Sequence, residues 1–138
     1  MVYGIGCDLC SIARMEKSLL GSHGAVFVRR VFGPAEQAAL GLPLAEEEGT
    51  ARRTAHTVAS AAADFAAKEA FLKAAGTGLR EPFSLCEIEA VRLPGGAPAY
   101  RFSGRSAQWV EARRLRAHLS LSHEDGMAMA YCILETET

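Results

Sequence analysis

The chain has no apolar run approaching the ~18–20 residues that a membrane-spanning helix needs, so no membrane association is expected. It opens Met1-Val2-Tyr3-Gly4-Ile5, without a basic segment followed by an apolar one, so a secretory leader is not expected either. Cysteine is scarce. Cys7, Cys10, Cys86 and Cys132 are too few and too irregularly placed for a secreted disulfide framework, and a reducing, cytoplasmic setting is expected. An excess of one charge is missing too: 15 Lys and Arg stand against 16 Asp and Glu, a formal net charge of −1. That excludes a polyanionic tail and argues against a basic nucleic-acid binder, so no nucleic-acid partner is expected. No linker, repeat or low-complexity tract divides the chain. Residues 1–138 read as a single domain, within the usual domain size.

What the chain does have is alanine, at 25 of its 138 positions. Alanine has the highest helix propensity and a small side chain, so helices that approach something closely are expected. Residues 2–9 read as a strand with Tyr3, Ile5, Cys7 and Leu9 on an apolar face. Val2, Gly4, Gly6 and Asp8 lie on the other, where the glycines leave space over Asp8. Ser11 is placed to cap a helix through Leu19, and residues 21–26 read as a turn. Val26 to Phe32 is apolar apart from Arg29 and Arg30, and Gly33-Pro34 opens a helix through Leu40.

The longest helix is expected from Pro43 and the acidic Glu46-Glu47-Glu48 to Ala75, where Gly76-Thr77-Gly78 stops it. Its apolar stripe runs Val58, Ala62, Phe65, Glu69, Leu72, which puts a carboxylate on the buried face. Such a conflict between pattern and residue marks a candidate site. Cys86–Leu93 and Ala99–Phe102 form a hairpin around Pro94-Gly95-Gly96, and Ser103–Arg116 reads as an amphipathic helix. His118–His123 alternates as a strand, with Leu119 and Leu121 opposite His118, Ser120 and Ser122. A last strand, Met127–Leu134, has the small face Ala128, Ala130, Cys132. The predicted class is α+β, a long Ala-rich helix packed on a mainly antiparallel sheet.

Asp8 and Glu69, one on a strand and one on a helix face, suit a hard cation such as Mg²⁺, which takes one or two carboxylates plus water and phosphate oxygens. Lys68 and Lys73 flank Glu69 and suit phosphate, and Gly76-Thr77-Gly78 offers backbone N–H groups to an anion. The bland alternative is an Asp in a turn and a Glu paired with Lys73. The His118–Ser122 face is either a ligand groove or the exposed side of an edge strand. Cys7-x-x-Cys10 is either a redox or zinc half-site or two small core residues. Arg105, Arg113, Arg114 and Arg116 read as a solvated helix face or a docking surface for an acidic partner.

Three segments together resemble one family. Gly4-Ile5-Gly6-Cys7-Asp8-Leu9 with Arg14 is similar to the opening motif of the holo-acyl-carrier-protein synthases, the short type of 4′-phosphopantetheinyl transferase. Phe65-Ala66-Ala67-Lys68-Glu69-Ala70-Phe71, continuing through Lys73 to Gly76-Thr77-Gly78, resembles the family's second motif. His118–His123 resembles its third.

The resemblance implies transfer of 4′-phosphopantetheine from coenzyme A to a serine of apo acyl carrier protein. Asp8, Glu69 and Lys73 would be the catalytic residues, with Asp8 and Glu69 holding Mg²⁺. Lys68, Gly76, Thr77, Gly78, His118 and Ser120 would bind coenzyme A. Arg14, Arg29 and Arg30 would steer the acidic carrier protein. The serine's proton would go to a water on the metal or to Glu69 through a water. A homotrimer with sites between subunits is implied as well.

The chain departs from the family's pattern where Asp64 replaces an arginine just before Phe65. An acid there would lose a contact to coenzyme A phosphate and pair on the helix surface with Lys68. A binding module with lost transfer activity is the corresponding alternative.

Overall fold

The computed structural model describes residues 1–44 and 51–137, so the expected acidic helix start at Glu46-Glu47-Glu48 lies outside the described residues. The strands and α-helices of the described residues follow in order: β1 (Val2–Ser11), α1 (Ile12–Leu20), α2 (Gly24–Val31), α3 (Pro34–Leu40), α4 (Ala51–Ala75), β2 (Ile88–Arg92), β3 (Pro98–Phe102), α5 (Gly104–Ala112), β4 (Leu115–Glu124) and β5 (Met127–Thr136), with one 3-10 turn at Leu85–Glu87 before β2. A three-stranded antiparallel sheet has the order β1-β5-β4, and β2 and β3 form an antiparallel hairpin. The long helix α4 packs on both, giving the expected α+β architecture.

The alanines explain how α4 approaches so closely. Ala61, Ala62, Ala66, Ala67 and Ala70 are fully buried along it, and β5 answers with the buried Ala128, Ala130 and Cys132. One cluster gathers Phe71, Phe83, Ile88 and Trp109 below the C-terminal half of α4. A second gathers Met15, Val28, Phe32 and Val58 beside its N-terminal half. Ser11 caps α1 as expected, its hydroxyl accepting the Arg14 N–H at 3.2 Å.

The faces of β1 are the reverse of the expectation. Tyr3, Ile5 and Leu9 are exposed, and Cys7 with them, whereas Gly6 is buried. The glycine face is not open. It is filled by the backbone of α4, because a Cβ at Gly6 would overlap Ala70 O and lie 2.7 Å from Ala74 N. A glycine stripe gains its burial from a close neighbour, which a count of side-chain hydrophobicity does not register.

Several boundaries also differ: β4 begins at Leu115 rather than His118, and the strand expected over Cys86–Leu93 is confined to Ile88–Arg92. α2 begins at Gly24, inside the expected turn. The helix expected over Ser103–Arg116 ends at Ala112, where Arg114 takes a left-handed φ of 53° and the buried Leu115 opens β4. Of Arg105, Arg113, Arg114 and Arg116, only Arg105 therefore lies on that helix.

Candidate active site

The approach of α4 to β1 builds the site. Gly4 and Gly6 remove the two side chains that would hold the strand off Ala70 and Ala74. Two residues further along the same face, Asp8 then reaches Lys73, whose ammonium donates to Asp8 Oδ1 at 2.9 Å and to the Cys7 carbonyl at 2.9 Å. Asp8 is mostly enclosed, its side chain 19% exposed, while that of Lys73 is 55% exposed, so the cation faces the opening. Glu69, one turn before Lys73, lies half-buried beside them. Burial raises its pKa, the Asp8 charge adds to the rise and Lys73 opposes it. Lys73 is held above the usual lysine range, chiefly by its hydrogen bond to Asp8. The structure thus brings Asp8, Glu69 and Lys73 together. Among the described residues no three His, Cys, Asp or Glu side chains converge into a preformed cage. Two carboxylates are nevertheless the donor set that Mg²⁺ often receives from a protein, the rest being water and phosphate oxygens.

Lys68 does not join them, which corrects its expected role at phosphate. Its side chain has no exposure, and its ammonium donates to Glu36, to the Leu85 carbonyl at 3.1 Å and to the Ile88 carbonyl at 2.6 Å. All three N–H groups are used inside. Glu36 also accepts the N–H groups of Gly33 and Ala90, each at 3.0 Å. Burial pushes Glu36 up and Lys68 down, and each charge offsets the other's shift.

The Gly76-Thr77-Gly78 segment closes α4 rather than offering donors to an anion. Its three N–H groups all turn back to the Leu72 carbonyl, at 3.1, 3.3 and 3.4 Å. Gly76 and Gly78 take φ of 81° and 63°, which favour glycine.

His118 and Ser120 lie on the outer face of the sheet, away from α4, as their alternation predicts. His118 Nε2 is 2.8 Å from Glu135 Oε1. Within one subunit they do not meet Asp8, which is on the inner face of the far edge strand β1. His123 turns inward at the end of β4 and borders a groove with His56, Ser60 and Arg92.

Asp64 forms no surface pair with Lys68. It is buried, and Arg92 Nη2 donates to its Oδ1 at 3.1 Å. Burial, with the nearby Glu36 charge, raises its pKa to about 7, against the pull of Arg92. Arg92 is the residue that sequence reasoning missed. The only signal was the acid itself, since a carboxylate on an alanine-lined helix face needs a cation.

Cys7 and Cys10 do not form a joint site. Cys7 is exposed on the outer face, not in the core, and Cys10 packs inward against both clusters. Arg14, Arg29 and Arg30 are all exposed, on α1 and in the last turn of α2.

A long alanine helix laid on a small antiparallel sheet, with two carboxylates and a lysine where they cross, defines a centre suited to phosphate chemistry. The chain belongs to the 4′-phosphopantetheinyl transferase superfamily, whose model matches residues 4–132. It is an enzyme of the holo-acyl-carrier-protein synthase type. The holo-[acyl-carrier-protein] synthase of Bordetella pertussis is 40% identical over 135 residues, covering 97% of this chain and 83% of its own length. The crystal structure of the Neisseria meningitidis synthase superposes with a TM-score of 0.77 at 30% identity, covering 99% of this chain and 100% of that one. That of Bacillus anthracis, in complex with CoA (3′,5′-ADP), gives 0.72 at 31% identity, with 99% of each chain covered.

Proposed function

We propose that the chain transfers the 4′-phosphopantetheine arm of coenzyme A to a serine of an apo acyl carrier protein and releases adenosine 3′,5′-bisphosphate. The observation that carries this reading is the meeting of Asp8, Glu69 and Lys73 at the crossing of β1 and α4. It is supported by the names of the relatives and by the CoA (3′,5′-ADP) complex of the Bacillus anthracis synthase.

In this reading Asp8 and Glu69 hold Mg²⁺. The charge balance fits, because two acids face one lysine and Asp8 raises the pKa of Glu69, a repulsion that a cation relieves. Bound there, Mg²⁺ would neutralise charge on the departing phosphate.

The serine oxygen attacks the phosphorus that carries pantetheine. The P–O bond to the adenosine-bearing phosphate breaks, and its electron pair leaves with the nucleotide. Lys73 has one N–H left after Asp8 and Cys7, and it donates that to the pyrophosphate. Glu69, acting through a water, is the acceptor this chain supplies for the serine proton. In the same reading Gly76, Thr77 and Gly78 would border coenzyme A.

Residues 1–138 act as one domain, supported by Cys10, Leu85 and Leu121, which touch both core clusters. A homotrimer is part of the reading. Its support is an outer sheet face that leaves Tyr3, Ile5, Leu9, Met127, Met129 and Tyr131 exposed, an apolar surface of the kind that partners cover. Assembled in that way, His118 and Ser120 would face a neighbour's coenzyme A. Arg14, Arg29 and Arg30 would steer the acidic carrier protein. Four free cysteines suit a reducing cytoplasm, and among the described residues no helix is long and apolar enough to cross a membrane.

The test is incubation with coenzyme A, Mg²⁺ and an apo carrier protein, read by mass spectrometry. A carrier mass increased by one phosphopantetheine is expected. Binding of coenzyme A without any mass gain would overturn the transfer in favour of a binding module.

A further inference from the structure

Lys68 and Glu69 are neighbours in sequence with opposite fates. Consecutive residues leave a helix about 100° apart, so the two take different sides of α4. Glu69 turns to β1 and feels the Asp8 charge. Lys68 turns to α3 and the 3-10 turn before β2, where its side chain has no exposure. Its ammonium donates to Glu36, to the Leu85 carbonyl and to the Ile88 carbonyl, and lies 5.6 Å from the centre of the Phe32 ring. Glu36 is held in turn. Its carboxylate accepts the N–H groups of Gly33 and Ala90, and its own N–H donates to Glu89 Oε2 at 2.9 Å. One ammonium on α4 is thus tied to α3, to the 3-10 turn and to the start of β2.

Stability alone does not account for this arrangement. A buried ion pair gains little over an apolar pair of similar volume, because both charges lose their water. The shape of α4 supplies another reason. Its buried surface is made largely of Ala61, Ala62, Ala66, Ala67 and Ala70, and the sheet answers with Gly4, Gly6, Ala128 and Ala130. Smooth surfaces of this kind have few knobs and holes to fix a rotation. Phe71 and Leu72 are the large buried side chains of α4 close to the site, but apolar contact is non-directional. Hydrogen bonds weaken steeply as their angle closes, so three of them resist a turn of the helix. The tolerance is small. A rotation of roughly 10° carries a carboxylate ~6 Å from the helix axis by about 1 Å.

We infer that Lys68, held by Glu36, is a positioning residue: it fixes the rotation of α4 and so keeps Glu69 beside Asp8 for the metal. The inference rests on the proposed metal centre and deepens it.

The paired variant Lys68→Met/Glu36→Gln separates position from stability. Lys68→Met alone strands the Glu36 charge and lowers Tm. Glu36→Gln removes that charge, and its amide oxygen still accepts from Gly33 or Ala90. The pair is therefore expected to regain more than half of the lost Tm. Transfer is not expected to return with it. In both variants kcat stays ~10–100-fold below wild type, while KM for the carrier protein remains within about twofold. Mn²⁺ takes the same oxygen ligands as Mg²⁺ and is titrated into the full chain, read by electron paramagnetic resonance. It should bind ~10-fold more weakly to the pair than to the wild type, at a site that Asp8→Ala removes.

A paired variant with wild-type kcat and wild-type Mn²⁺ affinity would overturn the inference. So would a kcat that recovers in step with Tm, or a pair that does not fold, since either reduces the role to stability. The two readings fail separately. Mn²⁺ bound and weakened as expected, in a protein that transfers nothing, leaves the positioning and removes the transfer. Transfer at full rate in the pair does the reverse.

Discussion

Replacing Gly6 by alanine tests the link between backbone packing and catalysis. The new Cβ overlaps Ala70 O and sits 2.7 Å from Ala74 N and 2.9 Å from Lys73 Cβ, where ordinary contact begins at 3.4 Å. Two of these neighbours are backbone atoms of a buried helix, so they cannot rotate away. The strand must retreat by roughly 1 Å. Overpacking of this kind costs ~1–3 kcal/mol. For a domain of this size that lowers Tm by roughly 4–12 °C.

The larger effect falls on the site. Asp8 is two residues along the same strand face, and its contact to Lys73 is only 2.9 Å. A displacement near 1 Å opens it and costs ~100-fold in kcat/KM, about 2.7 kcal/mol of transition-state stabilisation. The assay is mass-resolved transfer to carrier protein, beside a thermal melt. Gly95→Ala is the control, because nothing lies within 4 Å of a Cβ there. Gly6→Ala with wild-type kcat/KM would refute the claim that the glycines set the site.

Asp8→Ala and Glu69→Ala are each expected to lower transfer by ~100-fold or more, with circular dichroism unchanged; full activity in either would remove the metal assignment. Lys68→Met is expected to destabilise by ~3–5 kcal/mol, because it strands Glu36 in the interior. A raised KM for coenzyme A at unchanged denaturant stability would instead return Lys68 to the phosphate. Asp64 supplies a pH dependence. Its folded pKa, about 7, lies above the ordinary 3.8, so its stabilising contribution is present in acid and is lost as pH rises through about 7. Relative to Asp64→Asn, the wild type should lose Tm over that window, and parallel melting curves would show that Asp64 does not titrate there.

Much of this protein is decided locally and is therefore readable in one dimension. The alternation of β4, the small face of β5, the Ser11 cap and the glycine stop of α4 each depend on neighbours a few residues away. So do the two motifs around Asp8 and around Glu69, which between them hold both carboxylates and the lysine that meet. The rest depends on which segments arrive from a distance. Whether the glycine face or the apolar face of β1 is buried was settled by the backbone of α4, some 65 residues on. Lys68 and Lys73 are both helix lysines beside Glu69, yet one is consumed by Glu36, Leu85 and Ile88 and the other by Asp8. Asp64 reads as a bare acid in the sequence and becomes the anchor of Arg92, 28 residues away. Local order follows from propensity and capping, which act within a turn or two. The fate of a charge follows from the desolvation and partners it finds on burial, and only the tertiary structure supplies those.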